Sequence, residues 1–218
     1  RSPVTEWTWN SKYRAIRDDG EREADVPQTW RRVASAVASA EQDSKRWQAE
    51  FNAILSEFLF LPGGRILAGA GTGKDVTLFN CFVAGPIRDS IKGILESLTE
   101  TAITMQQGGG IGYDFSTLRP RGAQAKSVGS IASGPVSFMR GADASAGTIK
   151  SGGKTRRAAK MVILNVDHPD IDEFVWCKAR EEKKAWALID AGYDGGFNVA
   201  GGAYDTISYQ NANHSVRV

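Results

Sequence analysis

Apolar positions in the first third of the chain recur at helical spacing. Trp30, Val33, Ala34 and Val37 share a face behind Pro27, a residue suited to a first helical turn. A second stripe, Trp47, Phe51, Ile54, Leu55 and Phe58, follows a start near Asp43 or Ser44, and Leu61-Pro62-Gly63-Gly64 closes it. Both stripes predict core-facing helices. After Lys74 the character changes: residues 76–85 are largely apolar and predict a mostly buried strand. Asp89 is the expected cap of a helix carrying Ile91, Ile94, Leu95, Leu98, Ala102 and Met105, which the glycines 108–110 stop ahead of a short segment, 111–115. A further helix is predicted from Ser133-Gly134-Pro135, with Val136, Met139, Ala142, Ala146 and Ile149 on one side. Residues 161–166 predict a second buried strand, and Pro169 opens a helix through Ile171, Phe174 and Val175. Residues 192–204 read as a surface excursion and 207–218 as the next strand. Strands alternating with helices of this length argue for an α/β architecture with parallel strands. The expected division is a helical domain over 1–75 and an α/β domain over 76–218. The last strand is still running where the sequence stops, so a fragment of a longer chain is expected.

Composition narrows the class of protein. At 218 residues, 41% hydrophobic and 24% charged, the chain suits one substantial core or two small domains. No apolar run approaches the ~20 residues of a bilayer span, and no charged-then-apolar leader opens the chain, so no membrane partner is expected. Two cysteines, Cys81 and Cys177, are too few and too far apart for a disulfide framework or a zinc knuckle. No metal site is assigned, and a cytoplasmic location is expected.

The net charge of +2 conceals an asymmetry. Between Phe115 and Lys160 lie nine basic residues and one acidic residue, Asp143. A solvated basic face and a site for a polyanion both fit this run. No aromatics alternate with the bases, so a stacking platform for single strands is not indicated, and nucleic acid is not an expected partner. Gly152 and Gly153 lie among Lys150, Lys154, Arg156 and Arg157, where the backbone can approach a phosphate-bearing ligand closely. The stretch from Gly69 to Lys74 is not a P-loop: Ala68 stands where the first glycine belongs, and Asp75 replaces the magnesium-binding hydroxyl. The glycines of 108–112 do not open a helix and so are no dinucleotide fingerprint. They suit a flat backbone platform for a sugar or phosphate. Taken alone, Cys81 reads as inert packing, Cys177 and His214 lack a chemical context, and His168 before Pro169 reads as a turn residue.

Several ordered motifs together resemble one family. LFNCFV (78–83), DSIKGI (89–94), QQGGGIGYDFSTLRPRGA (106–123), SGPVSFM (133–139), SGGKTRRAA (151–159) and DHPDIDEF (167–174), preceded by FLPGGRILAGAGT (60–72), resemble the large catalytic chain of ribonucleotide reductase. The wording is closest to the class II, adenosylcobalamin-dependent branch, and the likeness covers nearly the whole chain. It implies an N-terminal helical domain followed by the first part of a ten-stranded α/β barrel. The implied activity is radical reduction of ribonucleotides to deoxyribonucleotides: a thiyl radical takes the ribose 3′ hydrogen, the 2′ hydroxyl leaves as water, and a cysteine pair supplies the electrons. A thioredoxin-like dithiol reductant and adenosylcobalamin are the implied reductant and cofactor, most of the cofactor site lying outside this chain.

By the same resemblance Cys81 matches the first-strand member of the redox pair, and Asn80, Cys81, Gly109 and Gly110 would lie along the substrate. Asp89, Ser90 and Ile91 match the turn that holds a deoxynucleoside triphosphate or ATP effector. Arg119 would reach its phosphates, and Lys154, Arg156 and Arg157 belong to the loop, 151–159, that links effector identity to substrate choice. The apolar faces of the helices after Asp89 and Ser133 match a dimer-forming bundle, or are core faces. The second redox cysteine, the radical cysteine and a C-terminal thiol pair have no counterpart here, so this stretch alone is expected to be inactive. Two other readings remain: a non-catalytic, dimerising nucleotide sensor or one half of a split reductase, and a nucleic-acid binder using the basic segment.

Overall fold

The computed structural model describes residues 2–16, 19–125, 129–149, 160–197 and 199–218, and the chain forms two compact units. Of the described residues, the first comprises those up to Asn80 together with Gln107–Gly109. Its described elements are helices: α1 (Pro3–Thr8), a π-helical turn (Trp9–Tyr13), α2 (Val26–Ala38), α3 (Ser44–Ser56) and α4 (Gly64–Gly69). Asp25 caps α2 by accepting from the Gln28 amide at 2.9 Å, and Asp43 caps α3 by accepting from the Arg46 amide at 3.2 Å. The predicted stripes meet in one core, Trp30, Val33, Ala34 and Leu55 against Phe51, Ile66 and Leu67. Below it the buried Glu23 carboxylate accepts from the Ala15 amide, the Thr29 hydroxyl and Arg32 Nε, as a charge withdrawn from water requires.

The periodicity overreaches at three places in this unit. Val37 is exposed. Phe58 lies past the end of α3 with φ +57°, its ring edge-on to Trp30 at 5.8 Å. Pro62-Gly63-Gly64 does not close α3, which ends at Ser56; Gly64 instead opens α4.

The second unit holds a four-stranded, all-parallel sheet in the order β1 (Cys81–Val83), β2 (Gly110–Asp114), β5 (Lys160–Asn165), β6 (Ala212–Arg217). A small antiparallel pair, β3 (Gln124–Ala125) and β4 (Ser130–Ile131), lies in the second crossover. Each pair of consecutive parallel strands is joined through a helix: α5 (Ile91–Gln106), α6 (Pro135–Thr148) and α7 (Ile171–Asp190), with a short α8 (Ala203–Thr206) before β6. Packing of α5 on α6 and of α6 on α7 sets the three helices side by side. Strand side chains alternate between faces, so Ile111, Tyr113, Val162 and Leu164 meet Ile94, Met105, Met139 and Phe174 in the main core. The α6 stripe is therefore core. On α5, Ile94 and Met105 are core, whereas Ile91, Leu95 and Ile103 are exposed.

Two expectations are corrected in this unit. The strand expected over 76–85 shrinks to Cys81–Val83, and those three residues are exposed, Val83 at 94%. β1 is an edge strand with β2 as its one neighbour, so its apolar side chains lack the cover that a central strand receives. The cap of α5 is Ser90, whose Oγ accepts from the Gly93 amide at 3.1 Å; Asp89 is engaged elsewhere.

Candidate functional site

The register of the sheet decides what Cys81 faces. Cys81 pairs with Gly110, Val83 with Gly112, and Gly112 in turn with Met161. Registered residues of parallel strands point to the same side, so Cys81 belongs with Gly110, Gly112, Asp114, Ile163, Asn165, Ser215 and Arg217 on the face turned away from the helices. Cys81 is free and exposed. Its partner across the ladder, Gly110, is bare but buried backbone; the next residue on that face, Gly112, is half-buried and leaves room beside a thiol held on a strand. Asn80 and Gly109 immediately precede Cys81 and Gly110 in the chain. In the helical unit a Cβ at Gly63 would stand 3.6 Å from Asn80 Nδ2, so the Asn80 amide packs against a bare Cα.

Cys177 is on the other side of the same sheet, on α7 among core residues. Its thiol donates to the Phe174 carbonyl and lies 3.7 Å from His214 Nδ1. Burial pushes that thiol up to about 11, and burial together with Lys178 pushes the His214 imidazole down to about 4. Both groups are held in their neutral forms.

Toward the carboxyl ends of the strands, the Cys81 face carries a polar clamp. Arg217 donates to Asp114 Oδ2 and to Asn165 Oδ1, each at 2.7 Å, and the Ser116 amide donates to Asp114 Oδ1 at 2.9 Å. Burial alone would raise the Asp114 carboxyl; the hydrogen bonds from Ser116 and the charge of Arg217 outweigh it and hold the group below its usual range.

A second candidate site is a cavity of about 370 Å³ in the same unit. Asp89, Ser90, Ile91 and Arg119 line it together with Ile94, Leu118, Phe138 and residues 130–134. Four of the sequence-predicted effector residues are thus brought to one place from β1's exit loop and the segment after β2. The lining mixes apolar side chains with hydroxyls and a charge pair, which suits a ligand with an apolar part and a polar part. Arg119 is not free: Nε donates to Asp89 Oδ2 at 2.7 Å, Nη2 to the Asp89 carbonyl at 3.2 Å and Nη1 to the Gln124 carbonyl at 3.3 Å. A guanidinium has five N–H donors, so both Nη atoms keep one for a ligand oxygen.

The basic run resolves differently from a continuous charged face. Arg119 pairs with Asp89, Arg121 with Glu173 at 3.6 Å, and Lys160 with Asp143 at 3.5 Å, while Arg140 lies over the Tyr209 ring at 6.0 Å. Each of these cations has a partner inside its own unit. Lys154, Arg156 and Arg157 fall outside the described residues, as do Lys126 and Lys150.

Periodicity and motif reading missed the contacts of His168 and Asp170 around the cavity, and the clamp at Asp114. The string DHPDIDEF was visible, but its partners lie about 50 positions away in the chain, beyond the reach of any local pattern.

A sequence model described as "Ribonucleotide reductase, barrel domain" matches residues 79–218, and one described as "Ribonucleotide reductase, all-alpha domain" matches residues 4–75. A vitamin B12-dependent ribonucleotide reductase of Streptomyces coelicolor is 41% identical over 207 residues, covering 91% of this chain and 21% of that protein. One from Rhodopirellula baltica is 50% identical over 138 residues, covering 63% of this chain and 13% of its own. A vitamin B12-dependent ribonucleoside-diphosphate reductase of Mycobacterium tuberculosis is 44% identical over 153 residues, covering 68% and 22%. The chain thus spans about a fifth of the length of the first of these relatives.

Proposed function

This chain belongs to the ribonucleotide reductase family, and on that footing we propose that it is the N-terminal part of a class II, vitamin B12-dependent reductase that makes deoxyribonucleotides. Its helical domain would occupy 1–75 and the first part of the catalytic barrel 76–218. The observation that carries the reading is the pairing of Cys81 with Gly110 on the helix-free face of a parallel sheet. That pairing, with the half-buried Gly112 next on the same face, offers a positioned thiol beside bare backbone against which a ribose would lie.

In the proposed reaction the ribose 2′ hydroxyl leaves as water, C2′ gains a hydrogen, and two thiols become one disulfide. Cys81 supplies one thiol, helps protonate the departing hydroxyl, and then forms the disulfide; a thioredoxin-like dithiol returns the pair to the reduced state. Cys177 is not the partner, because it is buried on the opposite face of the sheet. Asn80, Gly109 and Gly110 would line the substrate. The B12 dependence printed in the relatives' names is extended to the whole protein as part of this proposal. Among the described residues no group of three or more His, Cys, Asp or Glu side chains converges on a metal position. Cobalamin brings its cobalt already ligated by the corrin ring, so this bears on protein-ligated metals and not on the cofactor, and no step here runs through it.

The 370 Å³ cavity is proposed as the effector site. Asp89, Ser90 and Ile91 would hold a deoxynucleoside triphosphate or ATP and Arg119 would meet its phosphates; Lys154, Arg156 and Arg157, outside the described residues, keep the effector role that the resemblance implies. The exposed Ile91, Leu95 and Ile103 stripe on α5 supports a homodimer through that helix. No described helix is long and apolar enough to cross a membrane.

The test is Cys81→Ser in the complete protein. Turnover with a dithiol reductant should disappear while effector binding stays. Retained multiple turnover would remove Cys81 from the mechanism. Nucleotide binding with no reductase activity in the wild-type protein would favour the sensor reading, which the cavity also supports.

A further inference from the structure

Arg119 is fixed to Asp89 through its side chain, but its backbone is held from another direction. The residue before it, Leu118, is buried, and its carbonyl lies 2.9 Å from His168 Nε2. Two residues after it, the Arg121 amide donates to Asp170 Oδ2 at 2.9 Å. The carbonyl of 118 and the amide of 121 flank the Arg119-Pro120 pair, so both ends of the segment that aims Arg119 are tied to one turn. That turn, 166–170, joins β5 to α7.

The turn is itself constrained. The Asp170 amide donates to His168 Nδ1 at 3.0 Å. With Nδ1 acting as acceptor, the neutral ring carries its proton on Nε2 and donates it to the Leu118 carbonyl. The imidazole is 7% exposed and spans the turn and the segment, both of its nitrogens in use. Asp170 reaches Arg121 only because the site beside it is empty: a Cβ on Gly134 would stand 2.5 Å from Asp170 Oδ2 and 2.9 Å from the Arg121 amide. Gly134 also has φ +79°, a conformation that side chains disfavour. Glu173, one turn into α7, adds a charge contact to the Arg121 guanidinium at 3.6 Å.

From this arrangement we infer that His168 and Asp170 are positioning residues for Arg119, and through it for nucleotide affinity at the cavity. The inference rests on the effector reading given above. Neither residue lines the cavity; they act through the backbone of 118–121. The same turn continues β5, which is laddered to β2 and through it to the Cys81 strand. The device therefore ties the cavity to the sheet through ordered hydrogen bonds within one unit.

The experiment uses the complete protein and four probes, dATP, dGTP, dTTP and dCTP. It measures their dissociation constants, effector-free turnover and the melting temperature for Asp170→Ala, Asp170→Asn and His168→Ala, with Arg119→Met as reference. A hydrogen bond to a charged acceptor is worth enough that Asp170→Ala should weaken the preferred nucleotide by about tenfold or more. Effector-free kcat and KM should stay at wild-type values. Asp170→Asn keeps an oxygen acceptor for the Arg121 amide and should recover most of the affinity, and His168→Ala should repeat the loss independently. Wild-type affinity in both alanine variants overturns the inference. So does a loss of effector-free turnover in step with affinity, which marks general unfolding. If Arg119→Met also binds like the wild type, the effector reading has failed, and the positioning role falls with it.

Discussion

Cys81 stands opposite Gly110 across the β1–β2 ladder, and the next residue on the same face of β2, Gly112, stands opposite Val83. A thiol on an edge strand thus faces two positions without side chains. Because the register places them on the side away from the helices, neither glycine is needed to fill the core between sheet and helices. Gly110 is nonetheless buried, so it is at the half-buried Gly112 that the lack of a side chain leaves access beside the thiol.

Gly112→Leu tests that explanation. Among the described residues, a Cβ at Gly112 would meet only the Phe82 carbonyl oxygen, at 4.0 Å, so the strand accepts a side chain without a clash. The variant should fold with an unchanged melting temperature. In the complete protein, KM for the proposed ribonucleotide substrate should rise by about tenfold or more, the scale of a steric exclusion in a fitted site. Steady-state kinetics beside a thermal melt checks this, and an unaltered KM would mean that the substrate does not lie over Gly112.

Gly93→Ala should act, from the helix side, on the cavity proposed for an effector. A Cβ there would come within 2.5 Å of Arg88 Cβ and 2.8 Å of the Arg88 carbonyl oxygen. The turn before Asp89 and Ser90 must then move. We expect a loss of nucleotide affinity of about tenfold, in the range of moderate site couplings, with effector-free turnover preserved. Calorimetric titration of the variant reads it directly.

His214 should give the fold a pH dependence in mild acid. The imidazole is stacked on Phe174 at 4.9 Å, and its Nε2 is buried without a hydrogen-bond partner. Burial first, then the charge of Lys178, depresses it to about 4 from 6.5, with Asp143 opposing and Lys160 reinforcing. The unfolded chain therefore binds the proton first as pH falls. The contribution is fully present above about 6.5 and is lost progressively toward pH 4, on the order of 3 kcal/mol across that window. His214→Phe keeps the aromatic stack and should flatten the profile of urea-unfolding free energy between those pH values. Parallel profiles for wild type and variant would contradict the assignment.

Cys177 should be chemically silent in the native protein. Its thiol is pushed from 9.0 to about 11 by burial, so the thiolate is about a hundredfold scarcer at pH 8 than in an unfolded chain. Iodoacetamide at pH 8 should leave it unlabelled until urea is added, as peptide mass mapping would show. Rapid native labelling would mean that α7 opens readily.

The order of elements and the parallel crossovers could be read from the sequence, because they rest on local signals. Pro27 marks the first turn of α2, and the apolar stripes of α2, α3, α5 and α6 recur at helical spacing. Residues 161–166 are short, apolar and bounded by turn residues, and β5 lies there. The role given to Cys81 rested on resemblance to a family and not on spacing. What periodicity could not supply was cover. Leu78, Phe79 and Val83 look like core residues, yet they lie on or beside an edge strand, since burial depends on which strands become neighbours. Nor could it supply the pairing of Arg119 with Asp89 over 30 positions, or of His168 with Leu118 over 50. Those contacts exist only once three crossovers have stacked their helices on one face and brought the strand exits to one end of the sheet. Local propensity acts over a few residues, and these hydrogen bonds required the folded chain to bring their partners within 3 Å.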